Sequence, residues 1–320
     1  MNNPLFSVLI ANSNYGNYIA DSINSVINQS YSNWEIIIVD DNSSDNSYQV
    51  IKSFINKGIN INFKKNDCHQ GCGFTKNLCV KMAKGEICAF LDSDDTLEKN
   101  ALELLVKHHI QNLKHALIYS YPIKMCDKDL VFKEYSVLSG KMPENVNQLT
   151  AESGQKISHF ASFKKYFYDK TEGINPQLKR AVDQDLYYKI EEQGPILSIE
   201  SSLYNYRLHQ NNISLNENNV KAWYWLYIAN RSAYNRRKKL KTLNITYSEL
   251  QRLYLKVCLL KIDQKIRTKN HKNILYYYYQ AILRIIFDKE LIFIKAHWFF
   301  TKRLILIFLN KKQNEKLYLK

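Results

Sequence analysis

The chain has 320 residues, 45% of them hydrophobic and 23% charged, which excludes a disordered or fibrous polymer and leaves room for one large domain or two smaller ones. Its formal net charge of +15 is unevenly spread: from Lys221 onward there are 23 Lys/Arg against 5 Asp/Glu, whereas the first 220 residues carry 22 against 25. A near-neutral body with a basic C-terminal part directs that part toward a polyanionic surface, membrane or nucleic acid.

Phe6 to Ala11 is apolar and reads as a buried first strand. After a polar loop, Ile19, Ile23, Val26 and Ile27 recur at helical spacing, so a helix is expected from about Tyr18 to Gln29. Trp34 to Val39 is a second strand ending in acid, Asp40-Asp41, and Ser44 or Asp45 can cap the helix that carries Val50, Ile51, Phe54 and Ile55. A third strand is expected at Ile59 to Lys64. The loop that follows contains Gly71 and Gly73, which allow close backbone approach to a ligand, and a helix then runs through Leu78 and Met82 to a C-cap at Gly85.

Ile87 to Leu91 is a short apolar run that ends in Asp92-Ser93-Asp94-Asp95, with a helix expected to start near Thr96. Carboxylates this close repel one another unless a cation sits among them, and oxygen ligands suit Mg²⁺ or Mn²⁺. An acidic turn at a helix N-terminus is the plainer alternative. Strand and helix alternate quickly, which means crossover connections and a parallel sheet; ligands then sit beyond the strand C-termini, where both acidic tips fall. No Gly-x-Gly-x-x-Gly or Walker-type loop occurs, which argues against a dinucleotide or P-loop enzyme. Farther on, Leu117 to Ile123 is a strand, and Asp183 lies at or just before a helix whose Leu186 and Ile190 share a face; there it can act as a simple N-cap.

Five of these blocks, in this order over about 95 residues, resemble the family-2 nucleotide-sugar glycosyltransferases of the GT-A fold. They are Val8–Asn14, Ile23–Tyr31, Trp34–Asp45, Gly71–Asn77 with Ala83–Ile87, and Phe90–Asp95. The resemblance implies that Asp41 contacts the nucleobase, that Asp92, Asp94 and Asp95 hold the divalent metal and the sugar-nucleotide, and that Asn12, Gly71 and Lys76 line the donor site. The family's Pro and Tyr in the first loop are Ala11 and Ser13 here, with Tyr15 as a substitute aromatic. Its Arg before Asn77 is Lys76, which keeps the charge and loses the bidentate fork. The segment around Asp183 resembles the family's Glu-Asp pair, whose aspartate is the general base. The Glu is Val182 here, so the role goes to Asp183, with Asp185 as the fallback. Tyr206-Arg207-Leu208-His209, followed by Ser214, resembles the close of the catalytic domain and implies Arg207 at the diphosphate and His209 at the metal.

Past Asn219 the texture is basic and aromatic, with Arg236-Arg237-Lys238-Lys239, an apolar helical face at Leu250, Leu253, Val257 and Leu260, and apolar segments at Tyr276–Phe287 and Leu291–Leu309 broken by Arg284, Lys295, Lys302 and Arg303. This is the pattern of helices lying on an anionic membrane surface; a helical appendage with a solvated basic face is the alternative. The six cysteines form no C-x-x-C pair and read as buried free thiols, and the N-terminus has no signal-peptide pattern, so a cytoplasmic location on the inner membrane face is expected. The expectation is an α/β catalytic domain at 1–218 and a basic helical region at 219–320. The enzyme would be an inverting, Mn²⁺- or Mg²⁺-dependent glycosyltransferase that uses a nucleotide-sugar donor and a glycan or lipid-linked acceptor. A catalytically inactive scaffold of the same fold and a nucleic-acid-binding protein built on the Arg236–Lys239 run are the alternatives; the second leaves the acidic strand tips unexplained, so nucleic acid is not expected as a partner.

Overall fold

In a computed structural model, residues 3–136, 139–142, 156–157, 159–209, 219–240, 247–267 and 273–287 are described. Contacts gather the chain into two compact units, Met1–Asn244 and Ile245–Lys320.

In the first unit the elements run β1 (Phe6–Asn12), α1 (Ile19–Ile27), β2 (Trp34–Asp40), α2 (Ser47–Asn56), β3 (Ile61–Lys65), α3 (Cys72–Met82), β4 (Ile87–Phe90), β5 (Thr96–Leu97) and α4 (Ala101–Gln111). They continue with β6 (Leu117–Tyr121), β7 (Lys124–Cys126), β8 (Phe132–Tyr135), β9 (Ser162–Lys164), α5 (Lys165–Tyr168), α6 (Val182–Glu191), β10 (Ile196–Glu200), β11 (Tyr204–Arg207) and α7 (Asn219–Lys239). Seven strands form the main sheet in the order β10-β6-β9-β4-β1-β2-β3, parallel except for β9, which runs antiparallel to both neighbours. A second sheet has the order β5-β11-β7-β8.

The central strands are apolar at successive positions because helices cover both faces. Val8, Ile10, Ile36 and Ile38 pack toward α1, α2 and α4 through Ile19, Ile23, Ile51, Leu102 and Leu105. Leu9, Ile37 and Val39 face the other way, onto Cys79 and Val80 of α3 and Leu186 and Ile190 of α6. Each such side chain, fully buried, contributes about 1.5–3 kcal/mol. The parallel register aligns the ends of β1, β2 and β4, so the acids following them emerge on one edge.

Two expectations are corrected. No helix starts near Thr96: Thr96 and Leu97 pair antiparallel with Asn205 and Tyr204 of β11, and helix α4 begins at Ala101. Helix α3 ends at Met82 and not at Gly85, because the Glu35 carboxylate accepts the Lys84 and Gly85 amides and draws the chain out of the helix. Of the thiols, Cys79, Cys88, Cys126 and Cys258 are buried, whereas Cys68 is exposed and Cys72 half-buried.

The second unit contains α8 (Tyr247–Arg267) and α9 (Ile274–Phe287), joined by Leu255, Cys258 and Ile262 against Ile274, Tyr278 and Ala281. Leu250 and Val257 are buried and Leu253 and Leu260 half-buried, as the expected face requires. On α9, Leu275, Tyr276, Tyr279 and Ile282 are exposed. No described helix is long and apolar enough to cross a membrane. Leu291–Leu309, with Lys295, Lys302 and Arg303, lies outside the described residues, as do Ser214 and the expected boundary at 218.

Candidate active site

The site is built on the carboxyl edge of the main sheet. Asp41, just past β2, is buried, and its carboxylate accepts four protein donors. These are Asn66 Nδ2 and the Gln70 amide on one oxygen, and the Gly71 amide and His69 Nδ1 on the other, all at 2.8–2.9 Å. Burial alone would raise its pKa, yet the Gln70, Asn66 and Gly71 donors hold it below the usual carboxylate range. Asp41 therefore ties down the 66–71 loop, the exposed His69 included. Asn12 does the same on the neighbouring strand: its Nδ2 donates to Asp40 at 2.7 Å and to Ser43 Oγ at 3.2 Å, while its Oδ1 is buried without a partner.

The loop then turns through Gly71, whose φ of +93° favours glycine, into α3. Gly73 in the first turn lies so close to the Asn175 and Leu178 carbonyls that an added Cβ would stand 2.6 and 2.5 Å from them. This close approach brings the segment before α6 onto α3 and places Lys76 under Asp183. Lys76 Nζ is 2.7 Å from Asp183 Oδ1 and 3.4 Å from Asp92 Oδ1. Burial works against this ammonium, but Asp183 and Asp92 hold its pKa well above the ordinary lysine value. Both carboxylates keep 37% of their side-chain surface open to solvent. The fallback, Asp185, is 2% exposed and paired with Lys189 at 2.7 Å, so it faces the interior.

The Asp92–Asp95 turn splits into different environments. Desolvation would raise Asp92, and Lys76 followed by His159 outweighs it, so its pKa falls. Asp94 is raised by burial and by Asp92, although His209 Nε2 lies 2.9 Å from its carboxylate. Asp95 is raised well above the usual range by burial and by the charges of Asp94 and Asp92, and it accepts the Arg207 amide at 2.7 Å and the Tyr204 hydroxyl at 2.6 Å. Arg207 is buried and turned inward. Its guanidinium donates to the Asp94 and Lys128 carbonyls and pairs with Asp21 at 2.7 Å, and it lies 4.9 Å from the Tyr18 ring centre. It braces the acidic turn. Tyr18 also stacks on His209 at 4.8 Å, and Tyr15 meets the same imidazole edge-on.

Sequence reasoning missed His159, Tyr204, Tyr18 and Asp21. His159 stacks on Tyr204 and lies 4.0 Å from Asp92. Among the described residues, Asp92, Asp95 and His159 can each bring one ligand atom within 4.8 Å of the others. Carboxylate oxygens whose mutual repulsion is only partly relieved by protein donors, joined by imidazole nitrogens, are a donor set that fits Mn²⁺ or Mg²⁺.

The sequence model of the family described as Glycosyl transferase family 2 matches residues 7–171. The chain is 28% identical to an Escherichia coli chondroitin synthase over 231 residues, 72% of this chain and 32% of that protein. It is 30% identical to a Pasteurella multocida hyaluronan synthase over 233 residues, 72% of this chain and 23% of that protein. The chain thus spans about a quarter to a third of the length of these relatives. Among solved structures, S. aureus TarS 1–349 in complex with UDP-GlcNAc superposes with a TM-score of 0.58 at 18% identity, covering 87% of this chain and 88% of that one. A mannosyltransferase from Pyrobaculum calidifontis in complex with GDP-Man and Mn²⁺ gives 0.53 at 14% identity, covering 89% and 88%. The fold is the expected one, a central sheet flanked by helices with a helical C-terminal region.

Proposed function

Because the chain belongs to glycosyl transferase family 2, we propose that it moves a sugar from a nucleoside-diphosphate donor to a hydroxyl of a glycan or lipid-linked acceptor, with inversion, in bacterial surface-polysaccharide synthesis. The observation that carries the reading is the chain of contacts Asp183–Lys76–Asp92, which brings a solvent-open carboxylate to the acidic turn from a helix 91 residues away in sequence. Asp183 is the base: it takes the proton of the acceptor hydroxyl as that oxygen attacks the anomeric carbon. Lys76 keeps the two carboxylates together and sits where the diphosphate would arrive. Asp41 and Asn12 shape the nucleobase end by fixing the 66–71 loop and the tip of β2.

Asp92, Asp94 and Asp95 with His209 are the residues that would hold a divalent cation, and His159 joins them as a further ligand candidate. Such an ion, when bound, offsets charge developing on the departing diphosphate. Arg207 holds the Asp94 carbonyl and brings a positive charge to the acidic turn, beside the place proposed for the diphosphate. The ligands of the fold relatives, UDP-GlcNAc in one and GDP-Man with Mn²⁺ in the other, support a nucleotide-sugar donor and a metal without selecting one nucleotide.

A screen of UDP-, GDP-, CMP- and dTDP-sugars with Mn²⁺ or Mg²⁺, read as nucleotide release, tests the proposal. Release from one donor, lost by about 10²–10⁴-fold in Asp183→Asn and abolished in Asp94→Asn, is expected. Undiminished release from Asp183→Asn would overturn the base assignment. The net positive charge of the C-terminal part supports a place at the anionic inner membrane face. The nucleic-acid reading loses its centre, because Arg236 and Arg237 are paired with Glu192 and Glu191.

A further inference from the structure

Two of the four basic residues Arg236–Lys239 are turned inward onto α6, the helix whose first turn carries Asp183. Arg236 makes a fork on Glu192, Nε to Oε2 at 2.9 Å and Nη2 to Oε1 at 3.2 Å, and reaches Asp185 at 3.6 Å. Arg237 is buried. It pairs with Glu191 at 2.7 Å and Glu192 at 3.2 Å, and donates to the Tyr188 carbonyl at 3.3 Å. Lys189 closes the network, 2.7 Å from Asp185 and donating to the Gly173 carbonyl at 2.8 Å. Three acids thus meet three bases. Asp185 belongs to the same helical turn as Asp183.

Such a network is a poor source of stability, since desolvation of the ions offsets their attraction, but it is directional. Apolar packing lets a helix slide or rotate by a fraction of a residue, whereas planar guanidinium forks accept one register. Register matters here because α6 is entered through Ala181 at φ +54°, a backbone conformation that a residue with a Cβ holds only under constraint from its surroundings.

We propose that Arg236 and Arg237 are positioning residues, which act through Glu191, Glu192 and Asp185 to fix the rotation of α6 and hence the place of the Asp183 carboxylate over Lys76. The proposal rests on the reading of Asp183 as base. Helix α7 is on this account a part of the catalytic apparatus that touches no substrate.

The test uses the full chain carrying R236K/R237K, which keeps the charges and removes the forks, beside Glu192→Gln, which leaves both arginines in place. Hydrogen exchange over residues 182–186, donor KM, kcat and the thermal midpoint are measured together. Exchange in the first turn of α6 should rise about tenfold with β1 unchanged, while kcat falls about tenfold or more and donor KM stays within about twofold. Unaltered exchange over 182–186 would overturn the proposal, and so would an unaltered kcat at a lowered midpoint. The exchange measurement needs no turnover, so it decides even if no donor is found to react, an outcome that would count against the proposed activity alone.

Discussion

Lys76 stands between two carboxylates that would otherwise face each other, 2.7 Å from Asp183 and 3.4 Å from Asp92. Lys76→Met removes the cation and leaves the apolar stem, so nucleotide release should drop by about 10²-fold, while Lys76→Arg, with a wider head in a buried slot, should recover only part. Steady-state release at saturating donor checks both. A second residue carries a pH signature that has nothing to do with catalysis. His109 on α4 is buried against Ser162 Oγ at 2.9 Å, and burial, with Lys164 nearby, pushes its pKa down to about 3. The folded protein therefore refuses a proton that the unfolded chain accepts from about pH 6.5 downward. Stability present above pH 6.5 is lost as pH falls toward 3, by about 1.4 kcal/mol per unit from this group. Denaturant melts of His109→Gln against the parent between pH 7 and 4 should show the difference shrink and then reverse in favour of the variant.

Helix α3 and the segment before α6 approach through Gly73, with two backbone carbonyls where a Cβ would go. Gly73→Ala should cost about 1–3 kcal/mol, by overpacking against atoms that cannot rotate away. It should also weaken donor binding by moving Lys76 off Asp183; a melt and a nucleotide titration separate the two effects. The elements themselves were largely legible, because β1, β2, β4, α1 and α2 each carry an unbroken apolar run or a clear helical period, and the acids at their ends are local in sequence. What failed at Thr96 failed for a physical reason. Asp95-Thr96-Leu97 has capping chemistry, but its backbone is claimed by β11 more than 100 residues later, and no local pattern encodes that pairing. His159, Tyr204, Tyr18 and Asp21 escaped for the same cause. Each joins the site through a tertiary contact, and an isolated histidine or tyrosine has no spacing to read. Arg207 was found by its motif, but its guanidinium partners, the Asp94 and Lys128 carbonyls and the Asp21 carboxylate, are tertiary and were not legible.

At the scale of the whole molecule, charge and chemistry are segregated. From Ile245 onward the chain holds 16 Lys/Arg against 5 Asp/Glu, and the described part of this unit exposes Leu275, Tyr276, Tyr279 and Ile282 on α9. If this unit meets an anionic bilayer, the full chain should sediment with phosphatidylglycerol/phosphatidylcholine vesicles and not with phosphatidylcholine alone. A chain ending at Asn244 should stay in the supernatant while still binding nucleotide. Raising salt from 0.1 to 0.5 M should release the full chain, because screening shortens the reach of the basic residues.

The antiparallel strand β9 lies between β4 and β6, so the edge of β4 has no neighbour on that side until Ser162 to Lys164 arrive. Roughly 70 residues separate Phe90 from Ser162, and a ribosome adding about 5–20 residues per second needs about 4–14 seconds to make them. For that interval the nascent chain presents an open hydrogen-bonding edge next to its most apolar strands, the arrangement most prone to pairing with a neighbouring chain. If β1, β2 and β4 pair before β9 is made, yield in the cell should depend on ribosome spacing and on chaperones that shield the edge of β4, and slowing translation between residues 90 and 162 should lower it.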